Sequence, residues 1–332
     1  MGATLRKIAN LGIPYDNKTP EQLLKDSVSA LQAASQLAPH EPSFYNNLGL
    51  SQFECGEYEN AIQNYDQAIK AEHEKIKQDK ERGRENLSFY HKNLGLAYYH
   101  MQEFQLAMDQ YNEAIRHNDS NADNYFNRGN VYQQEKQFEL AHEDFEAAIQ
   151  REDRNAKYYH GRGLCYQEEA DMEEKKGEHC NEDLKNEKIS MAIEYFQLAI
   201  QFCSTFASSM FHLGLMFGKT ERYREALQQF SKVQELMPGD LSNYIQRGLV
   251  YQDMGNHEYA VRDFESAINI DPNYAISYFH MGTSRLKQKL VHEAIEDFNQ
   301  AKDLDENPAV YDGLGCCYHA LRDFDEAIDY FN

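Results

Sequence analysis

A glycine follows an apolar residue or an arginine eight times along the chain: Leu48-Gly49, Leu94-Gly95, Arg128-Gly129, Arg162-Gly163, Leu213-Gly214, Arg247-Gly248, Met281-Gly282 and Leu314-Gly315. The spacings between these glycines are 46, 34, 34, 51, 34, 34 and 33 residues. Subtracting 34 from the two long spacings leaves insertions of 12 and 17 residues. Each glycine sits in a helical pattern, as in NLGLAYYHMQEFQLAMDQYNEAI at residues 93–115. Glycine in a helix interior costs roughly 1 kcal/mol relative to alanine. A cost repeated at every period needs a packing reason, and it demands the same local architecture each time.

The rest of the period agrees. With the glycine taken as position 8, position 20 is Ala61, Ala107, Ala141, Ala192, Ala226, Ala260, Ala294 and Ala327. Position 24 is Tyr65, Tyr111, Phe145, Phe196, Phe230, Phe264, Phe298 and Phe331. Position 27 is alanine or Val233, and Pro238 and Pro272 fall at position 32, where a helix should end. Over Pro42–Asn332 the sequence resembles the tetratricopeptide repeat family, whose period is 34 residues. The resemblance implies an all-α fold, a right-handed α-solenoid or superhelix of antiparallel helix pairs. In each unit helix A and helix B approach closely at the glycine and the alanine. Aromatics at positions 4, 11, 17 and 24, such as Tyr125, Tyr132, Phe138 and Phe145, fill the core between units. A single pair cannot bury its own apolar face, so stability comes from nearest neighbours.

The expected organisation is an N-terminal segment, residues 1–41, followed by an array over 42–332. Its repeats lie near 42–75, 88–121, 122–155, 156–206 with an insertion, 207–240, 241–274, 275–307 and a truncated 308–332. Before Pro42, the stretch from Thr19 to Pro39 reads as helix B of a degenerate half-repeat, with Leu31 at position 24 and a Thr19-Pro20 start. The first insertion predicts an extended helix B and a polar loop near Gly83. The second predicts lengthened helices forming a hairpin with a turn near Gly177. The last repeat stops just after position 24, so the expectation is a fragment with further sequence beyond Asn332.

The chain carries 55 acidic against 33 basic residues, a formal net charge of −22. A phosphate-binding face needs basic residues, so neither nucleic acid nor an acidic lipid surface is an expected partner. A basic protein partner is favoured electrostatically. The six cysteines include no CxxC pair, which argues against a disulfide framework or a zinc site and for a reducing compartment. Of the adjacent Cys316 and Cys317, one is expected to be buried and one partly exposed. The 13 histidines show no metal spacing with a third ligand, and His179-Cys180 has no second pair. No GxSxG, HExxH, phosphate loop or GxGxxG occurs. The expectation is a non-enzyme with no cofactor and no metal.

Such a solenoid offers a concave groove lined by helix A. Position 6 reads Asn47, Asn93, Asn127, Gly161, His212, Gln246, His280 and Gly313. Three consecutive asparagines could pair with the peptide units of an extended chain, and this resembles the asparagine ladder of O-linked N-acetylglucosamine transferase. Position 5 includes Lys92, Phe126, His160, Phe211 and Phe279, and exposed aromatics are typical interface anchors. Against the carboxylate clamp of chaperone-binding repeats the chain offers Lys92, Asn127 and Lys157, but Leu96 and Gly161 stand where Asn and Arg belong. Arg128, Arg162 and Arg247 read as stems between helices whose heads reach acidic neighbours.

The sequence therefore predicts a protein–protein interaction scaffold or adaptor, belonging to a large complex and binding an extended or helical segment in its groove. Two alternatives stand beside it. One is the recognition arm of an enzyme whose catalytic domain follows Asn332; the other is a chaperone cofactor with an incomplete clamp. Long arrays with charged insertions resemble ciliary and axonemal assembly proteins, which implies a cytoplasmic, ciliary or cytoskeletal setting.

Overall fold

The computed structural model describes residues 1–12, 15–79 and 85–331. Among these residues all regular structure is helical, apart from one isolated bridge between Tyr15 and Lys18. The chain divides into two compact units, Met1–Cys165 and Tyr166–Asn332. Each is an α-solenoid stack of antiparallel helix pairs.

In the first unit, α1 (Gly2–Asn10) pairs with α2 (Pro20–Leu37), α3 (Pro42–Glu54) with α4 (Tyr58–Gln78), α5 (Glu85–His100) with α6 (Phe104–His117), and α7 (Ala122–Gln134) with α8 (Phe138–Arg151). Helix α9 (Ala156–Glu174) contains the boundary between the units. The second unit continues with α10 (Glu182–Phe202). There α11 (Ala207–Lys219) pairs with α12 (Tyr223–Leu236), α13 (Leu241–Asp253) with α14 (His257–Ile270), α15 (Ala275–Lys287) with α16 (Val291–Leu304), and α17 (Pro308–Ala320) with α18 (Phe324–Phe331).

The recurring glycines have the packing reason their sequence context demanded. A Cβ on Gly49 would stand 2.7 Å from Tyr65, one on Gly95 2.8 Å from Tyr111, and one on Gly248 2.6 Å from Phe264. The position-24 ring of helix B thus lies flat against the backbone of helix A in its own pair. Except for Phe331 of the last repeat, which is 50% exposed, these rings are among the largest fully buried side chains; Phe145, Phe230 and Phe264 have no exposed surface. Burying one such ring contributes about 1.5–3 kcal/mol. Gly218, by contrast, has only Val250 at 3.7 Å.

The A–B turns obey a second period that the glycine pattern did not reveal. Seven residues after seven of the eight repeat glycines the backbone enters the left-handed region: Gly56, Gln102, Lys136, Glu221, Gly255, Lys289 and Arg322. In the α7–α8 pair the Gln137 N–H donates to Tyr132 O (2.8 Å) and the Lys136 N–H to Gln133 O (2.9 Å). That is the hydrogen-bond pattern of a Schellman helix end. Only two of the seven residues are glycine, so the turn tolerates the strain to keep the two helices close.

The N-terminal half-repeat proves to be a full helix pair. Thr19 caps α2 with a reciprocal capping box to Gln22 and Pro20 in the first turn, as expected. Its partner is α1, and a Cβ on Gly2 would meet Leu31 Cγ at 2.6 Å. Gly2 and Leu31 repeat the glycine–position-24 contact with an aliphatic side chain in place of the ring. Helix α4 is extended to 21 residues, in line with the first insertion; the loop expected near Gly83 lies outside the described residues. The second insertion forms the expected turn, a 3₁₀ segment over Gly177–His179 with Gly177 at φ +57°. Cys317 is buried and Cys316 exposed, and burial pushes the Cys317 thiol up to about 12.

Three arginines are matched by acids across paired helices. Arg128 makes two hydrogen bonds to Asp144 (2.7 and 2.8 Å), and Arg247 two to Asp263 (2.6 and 2.8 Å). Arg285 reaches Asp297 at 2.7 Å. Each acid is at position 23, beside the buried ring. Such pairs add little net stability but are costly to break from one side.

Two outcomes test this account. Gly218→Ala should raise stability by about 0.5–1 kcal/mol through helix propensity. Gly248→Ala should lower it by about 1 kcal/mol or more, because overpacking against Phe264 costs about 1–3 kcal/mol. Urea midpoints followed by circular dichroism compare them, and equal stabilisation by both would refute the close-contact explanation. The second outcome concerns Asp297, whose carboxyl burial pushes up to about 6 against the opposing pull of Arg285. A raised folded value means that its stabilising share is complete below the ordinary value near 3.8 and disappears as pH rises through about 6. The stability difference between wild type and Asp297→Asn should therefore shrink from pH 4 to pH 6.5, measured as paired thermal midpoints.

Candidate functional site

The helix-A faces carry the residues singled out by the repeat, and the fold treats them unequally. In the first unit Asn93 is buried, and its amide donates to Asn46 Oδ1 at 2.8 Å. The Asn47 amide donates to Ser43 O in its own helix at 2.8 Å. Asn127 is half-buried. Two of the three amides are therefore engaged within the fold.

Lys92 and Lys157 do converge, but on a residue of the chain itself. Asp123, at position 2 of its repeat, lies 3.6 Å from Lys92 Nζ and 3.2 Å from Lys157 Nζ. The Tyr158 hydroxyl donates to the same carboxylate at 3.1 Å. Burial pushes the Asp123 carboxyl up, yet the two ammonium groups outweigh it and hold the group below its ordinary value. The lysines also sit over rings, Lys92 above Phe89 at 5.1 Å and Lys157 above Phe126 at 4.4 Å. Phe126 is 7 % exposed and packs against Phe145 and Tyr158 with centroids 5.7 and 5.3 Å apart, so it belongs mainly to the core. His160 is half-buried in the same face.

In the second unit position 6 packs onto the position-24 ring of the preceding repeat at His212, His280 and Gly313. His212 stacks on Phe196 at 5.6 Å and His280 on Phe264 at 5.6 Å. Where position 6 is glycine, the ring closes in: a Cβ on Gly313 would stand 2.7 Å from Phe298. Burial lowers the proton affinity of both His212 and His280, so both imidazoles are neutral near pH 7. His212 Nδ1 also lies 2.9 Å from Gln167 Oε1.

Phe211 and Phe279 keep part of their rings open to solvent. Phe211 meets Phe230 edge-on at 5.8 Å, and Phe279 is tilted against Phe298 at 5.9 Å. Gln246 is half-buried between their repeats. Beside Phe279 a cavity of about 230 Å³ opens between the start of α15, the end of α16 and the start of α17. Ile276, Asp305, Asn307 and Val310 help to line it, and none of them was singled out by the sequence. Ile276 occupies position 2, which the repeat assigns to the helix-A face, so that much was legible. The others come from the junction of two repeats and meet only in the folded chain. A larger open cleft of about 780 Å³ lies in the first unit beside α4, with Tyr45, Lys70 and His73 among its walls.

Models of the tetratricopeptide repeat match residues 42–73, 122–155, 241–274, 275–308 and 308–332, and a related TPR repeat model matches 95–136. Comparison with curated proteins gave no significant match. Among solved structures, IFIT1, a monomeric mutant with Gppp-AAAA, is similar with a TM-score of 0.61 at 15% identity, covering 99% of this chain and 75% of that one. The Cut9 and Hcn1 hetero-tetramer of APC/C gives 0.55 at 12%, covering 89% and 52%. A tetratricopeptide repeat protein from Parabacteroides merdae gives 0.53 at 17%, covering 83% and 98%. At these identities the likeness carries the fold alone. Repeats matched along the chain and a solenoid whose core contact recurs with the same period lead to one statement: the chain belongs to the tetratricopeptide repeat family.

Proposed function

We propose that this protein–protein interaction scaffold receives a basic partner segment, extended or helical, on the helix-A face of its second unit. The observation that carries the reading is the conjunction of partly open aromatics and negative charge. Phe211 and Phe279 are half-buried and Ile276 is 43% exposed on that face. The second unit holds 30 acidic and 15 basic residues, a formal net of −15, against −7 for the first with 25 and 18. Apolar anchors inside a charged surround give affinity at the centre and steering at the rim. Phe211 and Phe279 are the anchors in this reading, with Gln246 between them; His212 and His280, held on the preceding rings, wall the row. Asn127 and His160 remain secondary contacts of the first unit.

The chaperone-cofactor alternative is weakened by Asp123. An incoming carboxylate would find Lys92 and Lys157 already bridged and would meet a second negative charge. The enzyme-arm alternative concerns sequence after Asn332 and makes the same use of the groove. None of the described helices is long and apolar enough to cross a membrane. Membership of a large complex in a cytoplasmic, ciliary or cytoskeletal setting rests on the resemblance of the array alone.

A photo-crosslinking amino acid placed at Gln246, and separately at the exposed Arg262 of α14, tests the proposal in native extract. The expected result is a salt-sensitive cross-link from position 246 to a lysine- or arginine-rich segment, and none to that segment from position 262. Equal labelling from both positions would sink it. Replacing both Lys92 and Lys157 by Met should leave that cross-link unchanged. It should lower stability by about 1 kcal/mol, because Asp123 then keeps its desolvation without its partners. A urea titration reads the second effect.

A further inference from the structure

We propose that the cavity between α15, α16 and α17 is a specificity pocket that takes one aliphatic side chain of a partner and selects a lysine or arginine close behind it. The inference deepens the reading above and rests on it. The pocket is smaller than the roughly 300–1,000 Å³ typical of sites that enclose a drug-sized molecule, so at about 230 Å³ it suits a side chain and not a whole small ligand. Its apolar walls are Phe279, Val310 and Ile276, the last 43% exposed at the mouth. Val310 is 2% exposed and held by the core of the last two repeats, so the floor is preformed. His280 forms another wall, fixed by its stacking on Phe264 and edge contact with Phe279 at 5.1 Å. Neutral imidazole does not repel a cation.

The polar edge of the pocket is one-sided. Asn307 Oδ1 accepts from the Ala309 N–H at 3.0 Å, where it caps α17, so the amide offers a ligand its NH₂. Asp305 lies beside it with an exposed side chain and no ion pair among the described residues. Asp303, Glu306 and Asp312 are exposed nearby in sequence. The one cation of that segment, Lys302, has its ammonium over the Tyr330 ring at 5.9 Å. Residues 291–331 hold 11 acidic and two basic side chains. Apolar walls exclude a polar side chain from the interior, and the acidic edge disfavours a partner with Asp or Glu beside its anchor. An aliphatic residue followed by Lys or Arg satisfies both.

The test selects random dodecapeptides displayed on phage against the intact chain, then measures the winners by fluorescence polarisation. Selected peptides should share an aliphatic residue with Lys or Arg within about four positions, one helical turn or a short extended step. Ile276→Glu should weaken them by about tenfold or more, and Ile276→Ser should do so to a lesser degree. Circular dichroism checks that each variant is folded. Asp305→Lys should weaken binding and flatten its salt dependence, and Gln in place of the peptide's Lys or Arg should do the same to wild type. Lys92→Ala should change nothing. Peptides that bind wild type and both Ile276 variants alike, yet weaken with Gln246→Ala, would overturn the pocket and leave the groove reading standing. A selection that yields no groove-dependent binder would overturn both.

Discussion

Everything in this protein depends on one contact, a helix-B side chain laid flat on a glycine backbone in helix A. At Gly95 and Gly248 there is no room for a methyl group beneath the ring. The contact sets the distance between paired helices, and the Ala at position 20 lets the pair stay that close along its length. The same ring then offers its other side to position 6 of the next repeat, as Phe264 does to His280. One aromatic thus joins two helices of a pair and the pair to its neighbour, which is why stability accumulates from neighbour to neighbour.

That double use of the ring decides what the helix-A face can present. A position-6 side chain spent on the preceding ring is no longer free for a partner. Position 5 varies with the local packing: Phe126 is drawn into the core by Tyr158, whereas Phe279 stays partly open. The polar residues follow the same logic. Arg128 and Arg247 carry cations that their sequence context assigns to acidic neighbours, and their heads are indeed held by Asp144 and Asp263 beside the buried ring. Lys92 and Lys157 are likewise consumed by Asp123. The surface left for recognition is acidic with apolar openings, and the proposal of a basic, aliphatic partner rests on that surface.

Some of the architecture was hidden because the residue types did not advertise it. Helix α1 carries no repeat signature because its contact uses Leu31 in place of an aromatic. The left-handed residue that ends each helix A is Gln102, Lys136 or Glu221 as readily as glycine. Side chains of that kind give no turn signal, since the strain is offset by packing on either side of the turn. The asparagines at position 6 did announce themselves, but a side-chain amide pairs equally well with a partner's backbone or with Asn46, and only the fold chooses.

The sequence by itself determined the repeat period, the helix pairs, the places of both insertions and the identity of the core contact. These follow from local periodicity and from steric limits that a 34-residue window contains. Tertiary structure alone decided which groove residues remain open, which charges neutralise each other and where a pocket forms. Those outcomes depend on distances between residues of different repeats. Asp123 meets Lys92 and Lys157 across 31 and 34 residues of chain, and Ile276 lines the same cavity as Val310 across another 34. A periodic sequence places such residues in the same register, but the side-chain packing around each ring decides whether they touch.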